Sequence, residues 1–371
     1  MAVISKKDLI LQEDDVYFQK FTSRNGDEYG LRFGVPKDAE KISMVFKEIY
    51  NYEYLTPLVY DLDLLKRELS NPNNFWFVGE SLDNNEIAGT GLIRKNRYIA
   101  HASKAVTRQK FQGLGVTSKI GAAGIITVTK MPQFKDCLRL NIEVRGPQVR
   151  AQKLIKNSGA IPFGLVPAYY NYGDKRAFKT ENNSPFPPHR EEAAFLYSLI
   201  FNPLWKKREK KIYLLENEDL IFFHDYVKSY TKKMNQDVLI FEKGKKDKGY
   251  ELYGVSKEYH DGIVSLYGSI HEKSLNNLIK NYKNWRIILW RIPTTPNGVH
   301  SMALALEKGF NMVGYDVGFN NIGSNMNWIL SDSVILAYYP KGGSHAFEVN
   351  FLEENKPLFN KVREIFYSRI N

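Results

Sequence analysis

The sequence predicts an α/β fold in which a mixed central sheet is flanked by helices, followed by a second α/β domain. Three observations carry this expectation. Strand-like apolar runs alternate with amphipathic segments in the order strand, helix, helix, three strands, helix, strand, helix, strand. The 371 residues, 43% of them hydrophobic, supply enough apolar material for two ordinary cores. Residues 180–192, TENNSPFPPHREE, gather Asn, Ser and Pro, which interrupt regular structure. The expected organisation is a first domain over 1–180, a linker with a connecting helix over 181–211, and a second α/β domain over 212–371.

Taken in order, YGLRFGV (29–35) reads as a strand. PKDAEKISMVFKEIYN (36–51) opens with proline and places Val45, Phe46, Ile49 and Tyr50 on one helical face. DLDLLKRELS (61–70) is a second helix. NFWFVGES (74–81) and EIAGTGLIRK (86–95) are strands joined by the turn-like LDNN, and YIAHASKAVT (98–107) is a third. GVTSKIGAAGIITVTK (115–130) reads as a helix despite its β-branched residues. CLRLNIEV (137–144) is a strand, PQVRAQKLIKNS (147–158) a helix, and GAIPFGLVPAYYNY (159–172) a turn into a last strand. Further on, DVLIFE (237–242) and YELYGV (250–255) flank KGKKDKG (243–249) as the arms of a hairpin would.

Composition excludes several classes. The single cysteine, Cys137, rules out an internal disulfide framework and a cysteine-based zinc cluster, which suits a reducing cytoplasm. Its place at the start of an apolar strand marks it as inert. No run reaches the roughly 18–20 apolar residues of a membrane span, so no membrane partner is expected. The histidines show no metal-ligand spacing, so no metal is expected. The net charge of +11 invites a nucleic-acid reading. The densest basic clusters, KKREKK (206–211) and KGKKDKG, read instead as solvated surface connections, and a nucleic-acid partner is not favoured.

The chemistry points to RQKFQGLGVTSKIG (108–121), where Gly113 and Gly115 precede a helix. A helix begins with amides that lack intrahelical acceptors and with the positive end of a dipole, so it favours an anion there. Glycine lets the backbone approach a phosphate closely. A nucleotide P-loop and a dinucleotide fingerprint both need spacings that this run lacks.

The loop Lys110-Phe111-Gln112-Gly113-Leu114-Gly115, together with the order of elements, resembles the GNAT acyltransferase superfamily over about residues 28–175. That family writes its acyl-CoA loop Gln/Arg-x-x-Gly-x-Gly/Ala, so Lys110 departs from it. Its later helix, Asn-x-x-Ala-x-x-x-Tyr, is matched by Gln148 and Ala151, with Ile155 in place of the tyrosine. The resemblance implies acyl-CoA as co-substrate and no metal. The amides of Gln112, Gly113, Leu114, Gly115, Val116 and Thr117 would surround the pyrophosphate, and Lys110 and Thr117 or Ser118 would add side-chain contacts. Val106 lies in the stretch 105–107 whose backbone would meet the thioester carbonyl. Glu143 and His101 are the candidate bases, and Tyr169 or Tyr170 could replace the missing acid. The implied activity is N-acyl transfer, most simply acetyl transfer, to an amine of a small molecule or peptide. The alternatives are a non-catalytic acyl-CoA-binding protein and a tRNA-linked acyltransferase.

Residues 139–170 line up with 286–319 as a partial repeat, pairing Arg139 with Arg286, Arg145 with Arg291, Gly159 with Gly309 and Gly164 with Gly314. The second half is thus either a degenerate GNAT-like domain or an unrelated α/β partner domain.

Overall fold

The computed structural model describes residues 17–174, 190–242, 252–322, 329–342 and 349–368. By contact density they divide into two units. The first holds the described residues up to Glu143 with 157–159 and 173–174; the second holds the rest.

In the first unit β1 (Gln19–Thr22), β2 (Glu28–Phe33), β3 (Asn74–Ser81), β4 (Ile87–Asn96) and β5 (Ile99–Thr107) pair antiparallel in chain order. β6 (Arg139–Arg145) joins β5 in parallel, as a strand reached by a helical crossover must. One sheet face is covered by α1 (Ala39–Tyr50) and α2 (Leu62–Ser70). Val45 and Phe46 are buried there with Leu65, Trp76, Leu92 and Val106, and Ile49 and Tyr50 pack against them, as the helical spacing predicts. α2 starts where the Asp61 carboxylate accepts from the amides of Asp63 and Leu64. The entry to α1 is fixed by Arg32, whose buried guanidinium bonds both Asp38 and Glu80.

The other face carries α3 (Val116–Lys130). Small residues on sheet and helix let the two approach. A Cβ at Gly79 would lie 3.2 Å from Val116 and 3.1 Å from Ile120, one at Gly91 would lie 3.3 Å from Ile120, and one at Gly124 would lie 3.2 Å from Ile93.

The second unit contains α4 (Val149–Asn157, whose last residue counts with the first unit), β7 (Ile161–Tyr172), β8 (Arg190–Ile200) and α5 (Asn202–Lys207). It continues through β9 (Lys211–Leu215), α6 (Glu218–Ser229), β10 (Asp237–Phe241), β11 (Leu252–Glu258), β12 (Ile263–Ser269) and α7 (Glu272–Asn281). β13 (Ile287–Pro293), α8 (Pro296–Glu307), β14 (Asn311–Asn321), β15 (Leu330–Tyr338) and α9 (Lys356–Tyr367) complete it. Its main sheet runs β8-β7-β14-β15-β13-β12-β11.

Three expectations need correction. Residues 190–200, placed in a linker, form a strand with Ala193, Ala194, Phe195 and Tyr197 fully buried; residues 181–189 lie outside the described residues. The expected hairpin does not form: β10 pairs in parallel with β9 across α6, and β11 pairs with β12. The basic run 206–211 is not wholly surface, because Arg208 is 5% exposed and grips the buried Asp332 of β15. A carboxylate with no access to water requires such a counter-charge.

The two aligned segments carry elements in the same order. β13 is followed by α8 and the hairpin β14–β15, as β6 is by α4 and the hairpin β7–β8. Gly159 and Gly309, which follow the two helices, have φ +85 and +86. The β7–β8 register shifts between Pro162 and Gly164 and between Val166 and Tyr170; the β14–β15 register shifts between Met312 and Gly314 and between Asp316 and Asn320. The two hairpins meet at Gly164 opposite Gly314.

Candidate functional site

β5 leads through a short turn at Gln109–Phe111 into the glycine loop and then α3. Gly113 and Gly115 have φ +82 and +93, a conformation that side chains rarely adopt. A Cβ at either would meet nothing within 4 Å, so glycine serves the backbone conformation here and the loop faces open space. Among the described residues, the amides of 113–118 donate to no protein acceptor. They gather at the positive end of a helix of 15 residues. Open space and uncommitted donors together fit a diphosphate.

The loop is anchored at its flanks. The Gln112 amide side chain donates to the Thr107 carbonyl at 3.3 Å, and the hydroxyls of Thr107 and Thr117 are 2.5 Å apart. Phe111 is buried edge-on against Tyr29. Arg108 bonds Glu48 at 2.6 Å, and the Gln109 amide donates to the same carboxylate. Lys110, expected on the phosphate, is paired with Glu86 and holds that carboxyl below the usual carboxylate range. Leu114 is half-buried, while Val116 and Val106 are buried, so the valines can offer a ligand only backbone groups.

Two irregularities coincide just before the loop. Between Thr90 opposite Val106 and Leu92 opposite Ser103, β5 holds one residue more than β4. This is a β-bulge, and Lys104 sits in it with φ +56. In the same place β6 stops following β5: their register runs from Ile99 beside Arg139 to Ala102 beside Ile142 and no further. β5 therefore continues from Ser103 to Thr107 without pairing to β6, and the Thr107 carbonyl is taken by the Gln112 side chain.

The register also sorts side chains by face, since directly opposed residues share one. Leu92 belongs to the core under α1 and α2, so Ser103 opposite it, and His101 opposite Arg94, face that side. Asn141, beside His101, and Glu143, two residues on, face it too. Both candidate bases thus lie on one face at the mouth of the opening. Arg139 bonds Asn141 at 2.7 Å, and Arg94 bonds Glu68 and Asn74.

Sequence reasoning missed Lys104. It is half-buried, and among the described residues no hydrogen bond or ion pair holds its amine. Burial, with Arg94 adding to it, pushes its pKa down to about 8. A lysine between small residues in a strand gives no hint of this, because the bulge arises from the pairing of β4 with β5.

Gln148, Ala151 and Tyr169 belong to the second unit. The Gln148 amide donates to the Arg145 carbonyl ahead of α4, Ala151 lies on α4, and Tyr169 is buried on β7 edge-on to Tyr170. Cys137 is buried, its thiol donating to the Arg139 carbonyl, and burial pushes its pKa up to about 11, which agrees with an inert thiol. Among the described residues no group of three or more His, Cys, Asp or Glu side chains could hold a metal, and no helix is long and apolar enough to cross a membrane.

No family model matches the sequence, and no curated protein matches it. Solved structures do resemble about half of it. The ribosomal-protein-S5-alanine acetyltransferase from Vibrio fischeri is 16% identical with a TM-score of 0.38, over 51% of this chain and 98% of that one. Arabidopsis thaliana NAA60 in complex with acetyl-CoA is 9% identical with a TM-score of 0.37, over 47% of this chain and 99% of that one. An acetyltransferase of the GNAT family from Streptococcus pneumoniae is 16% identical with a TM-score of 0.36, over 47% and 99%.

Proposed function

We propose that this chain is an acyl-CoA-dependent N-acyltransferase that acts on an amine of a small molecule or peptide. One observation carries the reading. The bulge, the opening between β5 and β6, and the uncommitted amides of the glycine loop follow one another within residues 103–118. In this reading the loop amides hold the diphosphate, and the backbone of 105–107 along the opening polarises the thioester carbonyl. A free alkyl amine has a pKa near 10.4, so a base must deprotonate the acceptor. Glu143 and His101 share the face from which that proton would leave. With Ile155 at the position that the family gives to tyrosine, solvent protonates the departing thiolate.

We also propose that the elements from β12 to β15 are a second, degenerate copy of the same design. The coincident register shifts and matched glycines support it.

The acyl-CoA reading is tested by thermal unfolding with acetyl-CoA, free CoA, ATP and NAD. A ligand at a hundredfold excess over its dissociation constant stabilises the native state by about 2.7 kcal/mol. A shift with the CoA compounds alone is expected. Gly113→Glu, which sets an anion where the diphosphate would lie, should abolish the shift, and the unliganded midpoint should itself fall because a side chain at φ +82 costs about 1–2 kcal/mol. Retained binding in that variant would remove the diphosphate argument.

A further inference from the structure

Lys104 has no role in the transfer just described, yet its surroundings suit one. Its Cα lies in the bulge of β5, two residues beyond the last β5–β6 pair, and so beside the opening proposed to take the thioester. Its charged neighbours are Arg94 of β4 and Glu68 of α2, whose carboxylate is already engaged by Arg94 and Asn74. The amine is therefore partly withdrawn from water and bound to nothing.

We infer that Lys104 is itself an acyl acceptor: without a second substrate, its amine takes the acyl group from the bound thioester and becomes an amide. This rests on the acyl-CoA reading of the same site. The neutral Nζ attacks the thioester carbonyl carbon, and the new C–N bond replaces the C–S bond. Coenzyme A leaves as the thiolate and takes up the proton shed by the nitrogen, directly or through solvent. No oxidant, reductant or further reactant is needed.

The protonation state separates this lysine from others. An ordinary lysine has roughly one amine in a few hundred neutral at pH 8, whereas a lysine titrating near that pH has about half. Desolvation also removes the water that would otherwise blunt the nucleophile.

The test uses the full chain at pH 8 with acetyl-CoA as the only reactant. Peptide mass spectrometry follows acetylation site by site, and calorimetric titration with CoA runs on the same preparation. Acetylation of Lys104 is expected on the order of tenfold or more faster than at the exposed Lys41 and Lys66. That excess should disappear in the heat-denatured chain and in Gly113→Glu. Radiolabelled acetyl-CoA should leave a label on the wild-type chain that Lys104→Arg does not acquire. CoA binding with Lys104 unmodified would overturn the inference and leave the acyltransferase reading standing. Equal labelling of Lys104 in Gly113→Glu would reduce the reaction to ordinary chemical acetylation and overturn it too. No CoA binding at all would remove both.

Discussion

In the proposed transfer Glu143 and His101 are candidates for one task on adjacent strands, and kinetics can separate them. Replacing Glu143 by Gln keeps its shape and removes its basicity. The expected result is a fall in kcat of about two orders of magnitude, the lower range for a lost general base, with CoA affinity unchanged. If His101→Gln produces the larger fall, the roles are reversed; if neither moves kcat, both residues are structural. A second residue-scale prediction concerns pH. His224 is buried edge-on against Tyr315, and burial holds its pKa below the ordinary value against the pull of Asp225. Because the folded state binds that proton less readily than the unfolded chain, its contribution is present above pH of about 6.5 and lost as pH falls below it. His224→Phe should flatten the decline of the unfolding midpoint between pH of about 6.5 and 5, as read by calorimetry. An unchanged slope would assign the decline to other groups.

At the scale of elements, the position of α3 depends on what the sheet beneath it lacks. A Cβ at Gly89 would come within 2.9 Å of the Val106 carbonyl and 3.3 Å of Ile120, so the helix sits where it does because three strand positions are glycine. The hairpin contact obeys the same rule. A Cβ at Gly164 would lie 2.8 Å from the Val313 carbonyl, and one at Gly314 would lie 2.7 Å from the Phe163 carbonyl. Backbone cannot yield as a side-chain end does, so Gly164→Val and Gly314→Val should each cost about 1–3 kcal/mol or more in denaturant unfolding. The double variant should cost less than the sum, because the first substitution already parts the strands. Strict additivity would mean that the two positions do not meet in solution.

For the whole molecule, the order of elements was legible because hydrophobic period and turn residues are local signals. The glycine loop was legible for the same reason. Strand β8 was hidden behind a proline-rich approach, and the parallel pairing of β9 with β10 depends on partners far apart in the chain. The bulge at Lys104 and the burial of Arg208 were equally closed to sequence reading, since each is set by a residue of another strand. Arg208 holds Asp332 below the usual carboxylate range despite the desolvation that would raise it. The cations around the candidate site and the buried core are engaged: Lys110, Arg108, Arg145, Arg208 and Arg286 all have carboxylate partners. Weak RNA binding is therefore expected at physiological salt, with a shallow dependence on salt in filter-binding assays. A steep dependence would revive the tRNA-linked alternative.

The meeting of Gly164 with Gly314 has one further consequence. These residues hold the same place in two similar hairpins, and they face each other across antiparallel strands. A homodimer of a single such domain would make its contact in this self-matching way, with each copy offering the surface that it receives. A chain that carries two copies, as proposed for this one, has no need to find a partner for that edge. On that proposal, duplication would have turned an encounter that depends on concentration into a permanent one.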